Sequence, residues 1–241
     1  MSQERTTPPP GAASSPIDTL AALLRVRQDL HRGRLFLHFG DPLIERLAGY
    51  IEGYRACMRE NGLPDVGYEH FRRWLRKVKQ EPPVEEEPTR YLRDCPGDPE
   101  QAIRNYLDLV AEFAASHPGE PIRIRGMESN SAAGRAHGKG ILPYLLRVRQ
   151  DLQQGGVHPH MGEVSAERLN AFVDGYNACL EFNGFSSEEY VHFRDWLRDV
   201  KQELPGEGWP AGYLRDCQGD HDQAIRKYLD FVAEFVGSSP S

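Results

Sequence analysis

A chain of 241 residues, 39% hydrophobic and with four cysteines, has room for one large domain or two small ones and does not depend on a disulfide framework. Its formal net charge of −7 argues against the basic face that non-specific nucleic-acid binding requires and directs attention to basic partners. No apolar run approaches the roughly 18 residues of a membrane span, and the N-terminus lacks an apolar signal segment, so a soluble cytoplasmic protein is expected.

Residues 1–17, rich in Pro, Ser, Thr and Ala, are predicted to be a disordered tail. Leu20, Leu23, Leu24 and Leu30 then recur at helical spacing, with Asp18 or Thr19 available as cap and Gly33 as stop. A second helix is predicted through Leu43, Leu47, Tyr50, Tyr54 and Cys57, closed by Asn61 and Gly62. The third is amphipathic through Tyr68, Phe71, Trp74, Leu75 and Val78 and must end before Pro82. The YLRDC segment, Tyr91 to Cys95, reads as a turn. Asp98 next caps a helix with Pro99 at its first position and the stripe Ile103, Tyr106, Leu107, Val110 and Phe113.

Residues 117–140 have linker composition, and the pattern then starts again. Leu142 to Gln153 repeats the first helix, Ser165 caps the second, and Asn183 with Gly184 ends it. Ser186 and Glu189 form a capping-box pattern ahead of Tyr190, Phe193, Trp196, Leu197 and Val200, and Asp220 with Gln223 opens the last helix. Aligned at a constant offset of 122 positions without a gap, Leu20 to Ser116 and Leu142 to Ser238 share about 54 of about 97 residues. The expected fold is therefore all-α: two tandem duplicated four-helix domains, 18–116 and 141–238, joined by a flexible linker.

The copies differ most in charge. The first carries 15 basic against 16 acidic residues and the second 9 against 16, so the second holds nearly all the net charge. Arg73 and Lys77 become Asp195 and Asp199, and Arg59 becomes Glu181. If equivalent faces of the copies meet about a pseudo-two-fold axis, a basic pair opposite an acidic pair is complementary. Otherwise the acidic face is available to an external basic partner. Solvated drift is the bland account of such changes, because exposed charges contribute little to stability.

No chemical motif is strong. GRAHGKG, residues 134–140, has three residues between its first two glycines where a phosphate loop has four, and Gly140 stands where Ser or Thr would bind magnesium. His158 and His160 are an isolated pair without further metal-ligand spacing, and the Arg32 to His38 spacing is lost in the second copy, where position 154 is Gln. Cys95 and Cys217 precede helix N-termini but have no assignable base, and His70 and His192 border an aromatic face with no fixed titratable neighbour. No cofactor and no metal are expected.

The function expected is stoichiometric protein binding, as by a bacterial immunity or antitoxin-type inhibitor of a basic enzyme. The partner-binding candidates are Asp195, Asp199, Glu181, Arg73, Lys77 and Trp209, the last as an exposed loop anchor. The competing class is an enzyme or small-ligand protein with a His or Cys site between helices.

Overall fold

The computed structural model describes residues 16–79, 88–118, 138–154 and 165–238. The predicted tail up to residue 15, linker residues 119–137 and the His158 and His160 pair lie outside the described residues. The described chain is all-α, with no strand among these residues. The first half contains α1 (Thr19–His31), α2 (Phe36–Phe39), α3 (Ile44–Glu60), α4 (Val66–Val78), α5 (Tyr91–Asp94) and α6 (Pro99–Ser116). The second contains α7 (Ile141–Gln153), α8 (Ala166–Phe182), α9 (Glu188–Trp196), α10 (Trp209–Asp216) and α11 (His221–Ser238), with α9 running on as a π-helical turn over Leu197–Lys201.

The caps follow from side-chain chemistry. Asp18, Asp98 and Ser165 accept from the backbone N–H groups of Ala21, Gln101 and Arg168, and Asp220 does the same for Gln223. The capping box predicted at Ser186 does not form: Ser187 is the N-cap of α9, and Ser186 Oγ accepts from the Glu188 N–H. In the first half Asp65 is likewise drawn away from its own helix, accepting from both the N–H and the hydroxyl of Thr19, while Asp18 accepts from the Gly67 N–H. The N-termini of α1 and α4 thus exchange caps.

Two other expectations change. The YLRDC segments are helical, α5 and the end of α10, because Tyr91 and Tyr213 are buried against Tyr106 and Phe231 of the last helices and anchor a short turn there. The stripe of the third helix stops a turn early: Val78 and Val200 are 60% and 67% exposed. Each half repeats its internal ties, with Arg27–Asp108 matched by Arg149–Asp230, both at 2.8 Å, and Lys79–Glu112 matched by Lys201–Glu234.

Buried residues of both halves form one continuous apolar core, and its centre is a close crossing of α3 and α8. Glycines make the approach possible. A Cβ at Gly53 would stand 1.9 Å from the Phe172 carbonyl oxygen, and one at Gly175 would stand 2.0 Å from that of Tyr50. These contacts are the same contact with the halves exchanged, since Gly53 corresponds to Gly175 and Tyr50 to Phe172. Asn183 Oδ1 accepts from the Ile17 N–H at 2.8 Å, and Asn61 Oδ1 accepts from the Lys139 N–H at 2.7 Å, so each half clamps the chain entering the other. Tyr54 and Tyr176 hydroxyls donate to the Ile17 and Lys139 carbonyls and complete the clamps.

Candidate functional site

The exchange symmetry breaks on one side of the seam. Arg168, only 2% exposed, donates to both carboxylate oxygens of Glu52, from Nη2 at 2.6 Å and Nε at 3.2 Å. The exchanged pair is Arg46 and Asp174. Asp174 is one methylene shorter than Glu52, and no hydrogen bond joins it to Arg46 among the described residues; the Arg46 guanidinium lies 3.7 Å from Asp41. Asp174 instead accepts from Asn170 Nδ2 at 3.0 Å. Burial pushes its pKa up to about 7, with Arg194 and Arg46 opposing through space.

A second set of changes opens the space above it. In the first half Arg55 spans Asp65 at 3.3 Å and Glu69, and its guanidinium covers the Tyr68 ring at 5.0 Å from the centroid. The equivalent residues in the second half are Asn177, Ser187, Val191 and Tyr190, so a long arginine and both its carboxylates are replaced by short uncharged groups. A cleft of about 560 Å³ occupies that region, bounded by Leu37, His38 and Gly40 from the α2 segment, Tyr50 from α3, and the α8 and α9 residues. The side-chain oxygen of Asn177 is buried there with no hydrogen-bond partner among the described residues.

At one end His38 Nε2 lies 3.1 Å from Asp29 Oδ2, and its ring meets Tyr50 edge-on. Burial holds the imidazole below its ordinary range although Asp29 pulls it upward. Burial also raises Asp29, but the bonds from His38 and Arg34 prevail and keep it below the usual carboxylate range. Burial raises the Tyr190 hydroxyl to about 12, so it remains a protonated donor and acceptor.

The sequence candidates are dispersed. Glu181 and Asp195 line the cleft; Asp199 does not, and both aspartates are bound by Arg198, at 2.8 Å to Asp195 and 2.7 Å to Asp199. Arg73 and Lys77 are exposed on α4, and no ion pair joins them to Asp195 or Asp199 among the described residues. Helices α3 and α8, rather than α4 and α9, bring the halves together. Trp209 is not an exposed anchor: it is 3% exposed and stacked on Tyr228 at 4.2 Å, because it opens α10 instead of hanging in a loop.

His70, His192 and Cys95 are absent from the cleft lining; Cys217 lines only an open depression beside α11. The four cysteines are free thiols, buried at Cys57 and Cys179. Among the described residues no group of three His, Cys, Asp or Glu could hold a metal, and no helix is long and apolar enough to cross a membrane. No family model, no curated protein and no solved structure matches the chain.

Glu52→Gln keeps the shape of the buried pair while removing its charge. It is expected to cost about 3 kcal/mol of stability by removing the negative charge that both Arg168 hydrogen bonds are made to. A fall in the urea midpoint at unchanged slope would register this loss.

Proposed function

We propose that the chain is two copies of one four-helix domain fused into a pseudo-dimer, and that it is a cytoplasmic protein-binding module whose docking face is the cleft between the copies. A basic partner suits it, and an immunity or antitoxin-type inhibitor that covers a basic enzyme is the biological form we favour. The observation that carries this reading is the concerted replacement of Arg55, Asp65 and Glu69 by Asn177, Ser187 and Val191. Drift at solvated positions has no reason to dissolve every member of one ion network together, whereas a face remade for a partner does. The rim carries Glu181 and Asp195, two of the acidic residues that distinguish the second copy.

A photo-crosslinking residue at exposed Val191 should capture one partner, whose affinity, measured with both proteins purified, should fall at least about tenfold with Glu181→Arg and Asp195→Arg. Unchanged affinity in that double variant would remove the cleft as the docking face. The competing reading, a catalytic or small-ligand site, draws on His38, which is oriented by Asp29 and shares the cleft with Asp174. Turnover lost in a His38→Gln variant that still folds would favour it.

A further inference from the structure

We propose that the α8 wall of the cleft is a seat for a guanidinium group, an arginine side chain of the basic partner, with Asp174 as its anchoring carboxylate. The inference rests on the cleft being the docking face and adds the chemistry recognised there. Asp174, Asn177 and Glu181 follow one another on α8 at spacings of three and four, so they form an acceptor row along one helical face. Two of them have capacity left over: Asp174 accepts one bond from Asn170, and the Asn177 oxygen accepts none among the described residues. A planar fork of five N–H donors matches several acceptors in a row better than an ammonium point charge does. Tyr190, half-buried at the cleft, adds an aromatic ring of the kind on which guanidinium groups stack.

The resident cations leave the seat open. Arg198 is engaged by Asp195 and Asp199, and Arg46 approaches Asp41. Arg194 acts on Asp174 only through space. The groups that face Asp174 are Arg46 and Tyr50 from α3, Tyr190 and Arg194 from α9 and Tyr228 from α11, and His38 lines the same cleft. Burial outweighs these cations, so near neutral pH the carboxyl still holds its proton much of the time and must release it when a guanidinium donor arrives.

The test is titration of the ¹⁵N-labelled full chain with ethylguanidinium chloride at pH 5.5 and pH 8, using ethylammonium chloride, sodium acetate and sodium chloride at matched ionic strength as comparisons. Amide shifts should concentrate on α8 and α9. The apparent affinity should be about 30-fold higher at pH 8, because the competent ionised fraction of Asp174 rises by that factor. Asp174→Asn should abolish the pH dependence and weaken binding at pH 8, while His38→Gln should retain most of the dependence. Three results would overturn the seat: ethylguanidinium acting no differently from sodium chloride, ethylammonium or acetate binding as tightly, or Asp174→Asn behaving as wild type. If ethylguanidinium binds as stated but crosslinking at Val191 captures no protein, the seat stands and the docking function falls. A partner held through Glu181 and Asp195 but indifferent to Asp174→Asn removes the seat alone.

Discussion

Replacing Gly53 by alanine should destabilise the protein by more than about 4 kcal/mol, the range reserved for a few severe mechanisms, and Gly175→Ala should do the same. In an ordinary exposed helix the exchange would stabilise by about 1 kcal/mol, since alanine is the better helix former. Here the sign reverses because the added Cβ meets backbone. At Gly53 it would lie 1.9, 2.7 and 2.9 Å from the oxygen, carbon and Cα of Phe172, atoms with no rotamer to move into. Relief requires α3 and α8 to separate along their whole crossing, which forfeits the dispersion contacts of a close-packed seam at the centre of the core. Gly237 is the internal control: it lies in α11 with nothing within 4 Å of an added Cβ, so Gly237→Ala should be neutral or mildly stabilising. Urea unfolding of the three variants decides the matter. Gly53→Ala behaving like Gly237→Ala would mean that the helices do not approach this closely.

The glycines mark the limit of what the residues alone disclose. Helical periodicity, the aspartate and serine caps and the 122-residue offset were legible because each is written locally, in spacings of three and four or in one side chain before a helix. Gly53 and Gly175 are equally visible in the chain, but a glycine inside a helix becomes informative only when a second helix is known to lie on it. The helicity of the YLRDC segments is hidden for a related reason: it comes from a tyrosine docked on a distant helix, and no local cap announces it. Trp209 shows the reverse error, in which glycine and proline neighbours suggested exposure while the ring stacks on Tyr228.

The cleft was half legible. Comparison of the copies directs attention to Glu181 and Asp195, which do line it, but through the gain of acidic charge. The stronger signal is a difference in the ion pairs: Arg55, Asp65 and Glu69, which look unrelated until folding places them in one network, have uncharged counterparts, and Glu52, paired with Arg168, has the shorter Asp174. Substitutions that remove all members of an ion network at once are findable in a duplicated sequence, provided that the intact copy is folded first.

Asp174 also gives the fold a pH dependence whose sign is fixed by the direction of its shift. The folded carboxyl titrates at about 7 and the unfolded one at its ordinary 3.8, so between those values the folded state holds the additional proton. Stability therefore falls as pH rises through that window: the contribution is absent below the unfolded value and reaches its full penalty above the folded one. The penalty at pH 8 is on the order of 4 kcal/mol. Asp174→Asn removes the titration while its amide oxygen can still accept from Asn170, so the variant should gain roughly 10 °C in Tm over wild type at pH 8 and almost nothing at pH 4. Other carboxylates respond to pH as well, Asp65 raised by burial and Asp29 lowered by its bonds to His38 and Arg34, but their contributions are common to both proteins and cancel in the difference. A gain of equal size at both pH values would show that the carboxyl is not desolvated at the cleft floor. A gain confined to high pH would show that the site holds a charge destabilising to the free protein, which is the energetic position expected of a residue kept for a ligand rather than for the fold.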